Sequence, residues 1–385
     1  MTKFLNLIFS TALIERWNDQ LRPVEFSELD KQSHKIVIAW LIAKIEEKEN
    51  NTKIDYLKLI EYFIAEFAYR AVVTDLKPQV FHYLQKYQKN EFDEFVQNEL
   101  FEIVDKDFKI VFEKYLNSDN EEIERKILNA SHFLASRWEF DIIYNFNPNG
   151  YDVKNIKESL DLEVEEYFDL VGVRRLELGK KTKNFINLVG NMRFQRRWAK
   201  TPRIPNTSVL GHQVFVAVTS YILSKKANLS DKRIVNNFFN GLFHDLAESL
   251  TRDIISPVKY GVAGLDELLS GYEKMVIEDK LLPLLPKYLR EEMRFYLSDE
   301  FSDRSVEKKV DLEYLQKDTK IDAIDGSLVK VADNLGAFVE AVYSIKSGVS
   351  SKQLIEASDK LLEKYKDKRI YNIDIYKNFR DLENI

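Results

Sequence analysis

The chain has 385 residues, no cysteine and a formal net charge of −6. The length exceeds what one core usually covers and predicts two domains. The missing cysteines exclude disulfides, thiolate nucleophiles and cysteine-type zinc sites, and the charge excludes an overall basic field that would draw in nucleic acid.

Only 12 Gly and 8 Pro are spread over the chain. Lys, Glu, Leu, Ile and Phe dominate, which predicts an all-α fold. The opening Lys3-Phe4-Leu5-Asn6-Leu7-Ile8-Phe9 looks faintly like a signal peptide, but its apolar run is short and Asn6 interrupts it. No run approaches the ~18 apolar residues of a spanning helix. The expectation is a soluble, cytoplasmic protein with no membrane partner.

Taken in order, the chain repeats itself. Residues 4–17 read FLNLIFSTALIERW and residues 185–198 read FINLVGNMRFQRRW. Phe4, Asn6, Leu7, Arg16 and Trp17 recur as Phe185, Asn187, Leu188, Arg197 and Trp198, and Arg22 recurs as Arg203. His34 aligns with His212. Residues 64–81 align with 243–260, pairing Ala68 with Ala247 and Pro78 with Pro257. Leu128-Asn129-Ala130-Ser131 aligns more weakly with Lys330-Val331-Ala332-Asp333, and Lys154-Asn155-Ile156 with Lys352-Gln353-Leu354. The blocks keep their order. The chain reads as a tandem duplication of two helical bundles, 1–178 and 182–385, joined near residues 175–182.

The second copy carries the chemistry. Helices are predicted over 209–225, 231–250 and 265–282, with a turn over 251–257 because Pro257 disfavours helix before it. Residues 300–325 are acidic and irregular, and read as a mobile loop or lid. Leu328, Val331, Ala332, Leu335, Phe338, Val339 and Val342 form a core-facing helical stripe. Asp333 sits at its edge. Within the second of these helices stands Phe243-His244-Asp245-Leu246-Ala247-Glu248. A buried imidazole beside a buried carboxylate is costly unless both find partners. A divalent metal would satisfy both, and Glu248, at i+4, shares the face of His244.

His212, His244-Asp245 and Asp333 give the order H…HD…D from three helices. Two imidazoles and two carboxylates with room for water suit a hydrolytic metal centre. The first copy offers His34, Ala65, Glu66, Tyr69 and Ser131 against His212, His244, Asp245, Glu248 and Asp333. It reads as a scaffold without a complete metal site. The five histidines include His82 and His132, which read as surface or packing residues, as does His34. Lys330 reads as a solvated neighbour of Asp333.

This pattern resembles the HD-domain phosphohydrolase superfamily, and in particular the bacterial 5'-deoxynucleotidases. The resemblance is carried by Arg197-Trp198, by Ser208 to His212, by FHDLAESLTRD at 243–253, by Ser256-Pro257-Val258-Lys259-Tyr260 and by LVKVADNLGAF at 328–338. It makes both bundles HD-type, the first degenerate and the second catalytic. It implies that His212, His244, Asp245 and Asp333 ligate one divalent metal ion (Co, Mn, Mg, Fe or Zn). It implies Glu248 as general acid/base. Arg197 would hold the substrate phosphate, Trp198 would pack on the sugar, and Asp253 would bind the sugar 3'-hydroxyl.

The expected activity is release of phosphate from (deoxy)nucleoside 5'-monophosphates, a small-molecule nucleotide substrate. Other HD reactions, on triphosphates, cyclic nucleotides or phosphodiesters, remain open, as does a nucleotide sensor with slow turnover. Only the 193–203 cluster is basic, so no extended nucleic-acid binding is expected. Three features complicate the resemblance. Gly211 stands where the small relatives carry an acidic residue. The recurrence of Arg197-Trp198 as Arg16-Trp17 suits a structural role, and Asp253 could be a helix-terminal turn residue. The small relatives resemble homodimers, so this longer chain is expected to be a monomer, an intrachain pseudo-dimer.

Overall fold

The computed structural model describes residues 1–74, 76–252, 264–305 and 311–384. The fold is all-α. Its strands are two-residue pairs, of which β1 (Glu15–Arg16) and β2 (Phe26–Ser27) form the first. The chain divides into two compact units, residues 1–173 and 174–384. The division falls just ahead of the stretch 175–182 that the sequence marks as the joint. Among the described residues, no helix is long and apolar enough to cross a membrane.

The first unit opens with α1 (Thr2–Ser10), which buries Phe4, Leu5, Ile8 and Phe9 on one face. The apolar start is therefore part of a core. Helix α2 (Glu28–Glu49) is buried along most of its length and begins where the Ser27 hydroxyl accepts a hydrogen bond from the Asp30 amide. Such a cap satisfies one of the open amides of a helix's first turn. After α2 come α3 (Tyr56–Val73), α4 (Pro78–Tyr87), α5 (Lys89–Phe101), α6 (Lys106–Leu116), α7 (Ile123–Phe146) and α8 (Val153–Glu165). Helix α2 packs along α7, and α3 packs on α6 and α7. Helix α9 (Val171–Leu178) carries the division between the units.

The second unit begins with α10 (Lys180–Asn191) and is built around α11 (Val209–Lys226), whose residues from Val209 to Ser224 are all buried. Helix α11 lies against α12 (Asp231–Phe243) and against the Gly326–Lys346 helix. At the α11–α12 crossing, a Cβ on Gly241 would stand 3.2 Å from the Ala217 backbone and 3.0 Å from Ser220 Oγ. The glycine thus lets the two helices approach closely. All seven residues of the predicted stripe, Leu328 to Val342, are buried in the Gly326–Lys346 helix.

Two expectations need correction. The helix predicted over 231–250 is broken. It stops at Phe243, residues 244–247 form turns, and α13 (Glu248–Thr251) follows. The tightening is visible in the bonds Leu246 N–H to Phe243 O (2.9 Å) and Glu248 N–H to Asp245 O (3.0 Å), each spanning three residues. His244 and Glu248 therefore do not share one regular helix face. The stretch 300–325 is also less loose than expected in its described part. Arg304–Ser305 pairs with Ala323–Ile324, and the buried Arg304 guanidinium donates to Asn240 Oδ1 at 2.6 Å. Residues 306–310 lie outside the described residues.

The units share a local framework. Glu15 pairs with Ser27, and Arg196 bridges to Ser208 in the same antiparallel sense. Ser27 caps α2, and Ser208 caps α11 by accepting from the Gly211 amide at 2.9 Å. Trp17 and Trp198 both hold a φ of 56°, a strained value for a bulky residue. Trp17 Nε1 donates to Glu139 at 3.0 Å, and Trp198 Nε1 donates to Glu340 at 2.8 Å. Each glutamate also pairs with the preceding arginine, Arg16 at 2.8 Å and Arg197 at 3.2 Å.

These anchors shift the register read from the sequence. His212 lies four residues after Ser208, and Lys31 lies four after Ser27. Lys31, not His34, occupies the matching place. Asp333 precedes Glu340 by seven residues, as His132 precedes Glu139. The counterpart of Asp333 is thus His132 rather than Ser131.

Candidate metal centre

Three helices deliver the site. Helix α11 presents His212 one turn after its cap, the end of α12 presents His244 and Asp245, and the Gly326–Lys346 helix presents Asp333. His212, His244 and Asp245 each offer one ligand atom, and these atoms lie within 4.8 Å of one another. His212 Nε2 is 3.0 Å from Asp333 Oδ1, and His244 Nε2 is 3.9 Å from the same oxygen. His244 Nε2 is also 3.0 Å from Asp245 Oδ2. All four metal ligands expected from the sequence are therefore brought together. Gly336 makes the room: a Cβ there would stand 2.8 Å from Cε1 and 3.0 Å from Nδ1 of His212.

The donor chemistry fits a divalent ion. His244 Nδ1 is 2.8 Å from the Gly241 carbonyl oxygen. A carbonyl only accepts, so Nδ1 carries a proton and Nε2 turns to the cluster. Nε2 is buried, and although Asp245 is near, the two are not aligned as a hydrogen bond. That geometry suits two ligands converging on a common cation better than a donor–acceptor pair. Burial, and then the Arg197 charge, push His212 below its ordinary range and favour the neutral ring a metal needs.

The carboxylates are ionised. Burial works against the charge of Asp333, but His212, Lys330 and His244 outweigh it and hold this carboxyl well below its usual range. Asp245 is lowered against burial by His244. His244 in turn is raised against burial by Asp245 and Asp333, which marks a place where a cation is favoured. Lys330, read as a solvated neighbour, reaches Asp333 Oδ2 at 2.8 Å and stands 3.8 Å above the Phe301 ring.

Arg197 joins this cluster to the framework. Its Nε lies 3.2 Å from Glu340 Oε1, and its Nη1 lies 3.7 Å from Asp245 Oδ2. Burial opposes its charge, but Glu340, Asp245, Asp333 and Glu248 together raise it well above the ordinary range. Glu248 therefore belongs to the same electrostatic neighbourhood, half-buried at the start of α13. Arg197 and Trp198 also line a cavity of about 970 Å³ whose walls include Arg196, Lys200, Asn206 and Arg252. Asp253 lies outside the described residues.

Glu340 is the residue that sequence reasoning missed. It is buried, accepts from Trp198 and Arg197, and is held down to about 2 because Arg197, Arg203 and other neighbours outweigh burial. The signal was present: an acid inside the apolar stripe, recurring as Glu139. Among the other histidines, His34 is fully buried edge-on to Trp138 at 5.0 Å, a packing role. The His82 side chain lies outside the described residues.

The second unit thus converges two imidazoles and two aspartates, a candidate metal centre, beside a cationic cavity. Residues 189–362 match the family model described as HD domain. The chain is 23% identical over 180 residues to a 5'-deoxynucleotidase of Pectobacterium atrosepticum, covering 45% of this chain and 79% of that protein. It is 23% identical over 209 residues to one of Pasteurella multocida, covering 51% and 93%. It is 24% identical over 184 residues to one of Yersinia pestis, covering 46% and 81%. The crystal structure of an HD-domain phosphohydrolase from Listeria innocua aligns with a TM-score of 0.39 and 17% identity, covering 52% of this chain and 85% of that one. Over residues 189–362 this chain is thus similar to HD domains, and its similarity to the 5'-deoxynucleotidases spans about half of its length.

Proposed function

We propose that this protein is a metal-dependent phosphomonoesterase that releases inorganic phosphate from (deoxy)nucleoside 5'-monophosphates. The observation that carries the reading is the convergence of His212, His244, Asp245 and Asp333, with Arg197 shared between that cluster and the cavity. These four side chains would hold one divalent ion. When bound, such an ion lowers the pKa of water and polarises a phosphoryl oxygen.

The other roles belong to the chain itself. Glu248 moves the proton, as a carboxylate at the edge of such a cluster can. Arg197 binds the phosphate: Glu340 engages its Nε, and its Nη1 edge faces the cluster. A guanidinium fixed in that way matches phosphate geometry without losing further side-chain freedom. Trp198, held by Glu340, offers its ring to the sugar from the cavity wall. The resemblance gives Asp253 the 3'-hydroxyl.

A second reading has its own support. Arg196, Lys200 and Arg252 join Arg197 on the cavity wall, more positive charge than one phosphate dianion needs. A polyphosphate would also fit that count.

The test is metal content together with phosphate release from each ribo- and deoxynucleoside monophosphate, for the wild type and Glu248→Ala. One metal per chain, with release that Glu248→Ala abolishes, supports the first reading. One metal with pyrophosphate or triphosphate release from triphosphates alone supports the second. Absence of bound metal after loading overturns both.

A further inference from the structure

In the first unit, the framework that holds the metal cluster in the second encloses positive charge instead. Lys31 Nζ lies 2.7 Å from His132 Nδ1, at the two positions that match His212 and Asp333. Lys35 Nζ lies 2.5 Å from Glu66 Oε1, and Glu66 matches Asp245 in the alignment of 64–81 with 243–260. The Lys31 and Lys35 side chains are 1% and 0% exposed. Lysines are rarely buried so completely without matched partners.

Their partners are too few. The carboxylate nearest Lys31 is Glu28, 3.9 Å away and already bound by Arg16 at 2.8 Å and approached by Arg70 at 3.8 Å. Glu139 is taken by Arg16 and Trp17. Glu66 is shared between Lys35 and, electrostatically, Lys31 and Arg125. Five cations (Arg16, Lys31, Lys35, Arg70, Arg125) thus face three carboxylates (Glu28, Glu66, Glu139). Tyr115, beside Arg125, is raised by burial and stays neutral. His132 adds no charge, because burial, Lys31, Lys35, Arg16 and Arg70 push its pKa well below the ordinary value. Buried charge without a counter-charge is strongly unfavourable.

The cluster also meets solvent at one edge. The His132 side chain is 40% exposed and that of Glu66 is 20% exposed. Arg16 stands in the place that Arg197 takes in the second unit, held by the same Trp–Glu anchor.

We propose that this cluster is a metal-independent anion site for a phosphoryl group, either free phosphate or the monoester of a nucleotide. With Lys31 and Lys35 both protonated, the state that a bound anion favours, the surplus of two positive charges matches a dianion. Lys31 Nζ, at the position that matches His212, and Lys35 Nζ, one turn further along α2 and against Glu66, supply point-charge donors. One unit would then need a cation to complete its site, and the other an anion.

The experiment uses the full chain, stripped of metal with EDTA, and measures binding of inorganic phosphate and of deoxyadenosine monophosphate by calorimetry. One equivalent bound at the first unit is expected, weakened at least tenfold by Lys31→Met or Lys35→Met; a further equivalent at the Arg197 cavity of the second unit would be the one that Arg197→Met removes. Tighter binding of the nucleotide than of phosphate would identify the monoester as the ligand, and equal binding the phosphoryl group alone. No binding of either probe overturns the proposal, as does binding that Arg197→Met removes altogether and Lys31→Met leaves intact. Misfolding is controlled by melting the variants. Sulfate, a dianion across the neutral range, gives a second reading. Burial pushes Lys31 down to about 7, so sulfate should bind more weakly at pH 8 than at pH 6 in the wild type and show less of that change in Lys31→Met.

Discussion

The two units hold nearly the same anchors around opposite charge. In each, a serine caps the central helix, a tryptophan sits at a φ of 56°, and a buried glutamate grips an Arg-Trp pair. Within that frame the second unit places two imidazoles and two aspartates, while the first places two lysines, one imidazole and one glutamate. The comparison separates framework from chemistry. Arg197 and Trp198 cannot be read as substrate residues on their presence alone, since Arg16 and Trp17 make the same contacts where no such donor set stands. What distinguishes the second unit is the donor set that Arg197 faces.

The largest effect should come from removing that donor set. His244→Ala or Asp333→Ala is expected to abolish both metal uptake and phosphate release, read by metal analysis and a turnover assay. Retained uptake of one metal per chain in both variants would move the centre elsewhere. Next is Glu248→Ala, expected to lower kcat by about 10²–10⁴-fold with metal content unchanged, the usual range for a lost general acid/base. A loss of metal instead would make Glu248 a ligand. A smaller effect is expected from Gly336→Ala. The added methyl meets the His212 ring at 2.8 Å, and a displaced ligand should weaken metal affinity by about 10–100-fold, as losses of ligand support do. Unchanged affinity would show that the ring has room to move.

How much of this was legible in the sequence follows from what each residue depends on. His212, His244, Asp245 and Asp333 could be picked out because each stands in or beside an apolar helical stretch where an unpaired polar group is costly. The stripe from Leu328 to Val342 was readable because packing imposes its period. The break at His244 was not: there the His244 ring reaches back to the Gly241 carbonyl, a contact that local propensity does not encode. Glu340 escaped notice because its partners, Arg197, Trp198 and Thr207, lie more than 130 residues away in sequence. The pairing of His34 with His212 failed for a related reason. Matching residue types drew the alignment to a histidine one turn away, while the Ser27 and Ser208 caps fix the true register.

The smallest effect expected concerns the first unit alone, and it sharpens the comparison most. Burial lowers the Lys31 pKa to about 7 from its ordinary 10.5, against the pull of Glu28. The folded chain therefore gives up a proton that the unfolded chain keeps between about pH 7 and 10.5. The unfolded state binds more protons across that window, so stability must rise with pH there, by at most about 1.4 kcal/mol per pH unit for one such group. Lys35 is also lowered by burial and acts in the same direction. His132, lowered well below 6.5, adds its own loss only at more acidic pH. Between pH 7.5 and 9.5 the denaturation midpoint of the wild type should therefore climb, and Lys31→Met should flatten the climb without touching phosphate release. An equal slope in the variant would mean that Lys31 keeps its proton in the fold. The ammonium would then be balanced by a counter-charge that the three carboxylates do not supply and that a bound anion would.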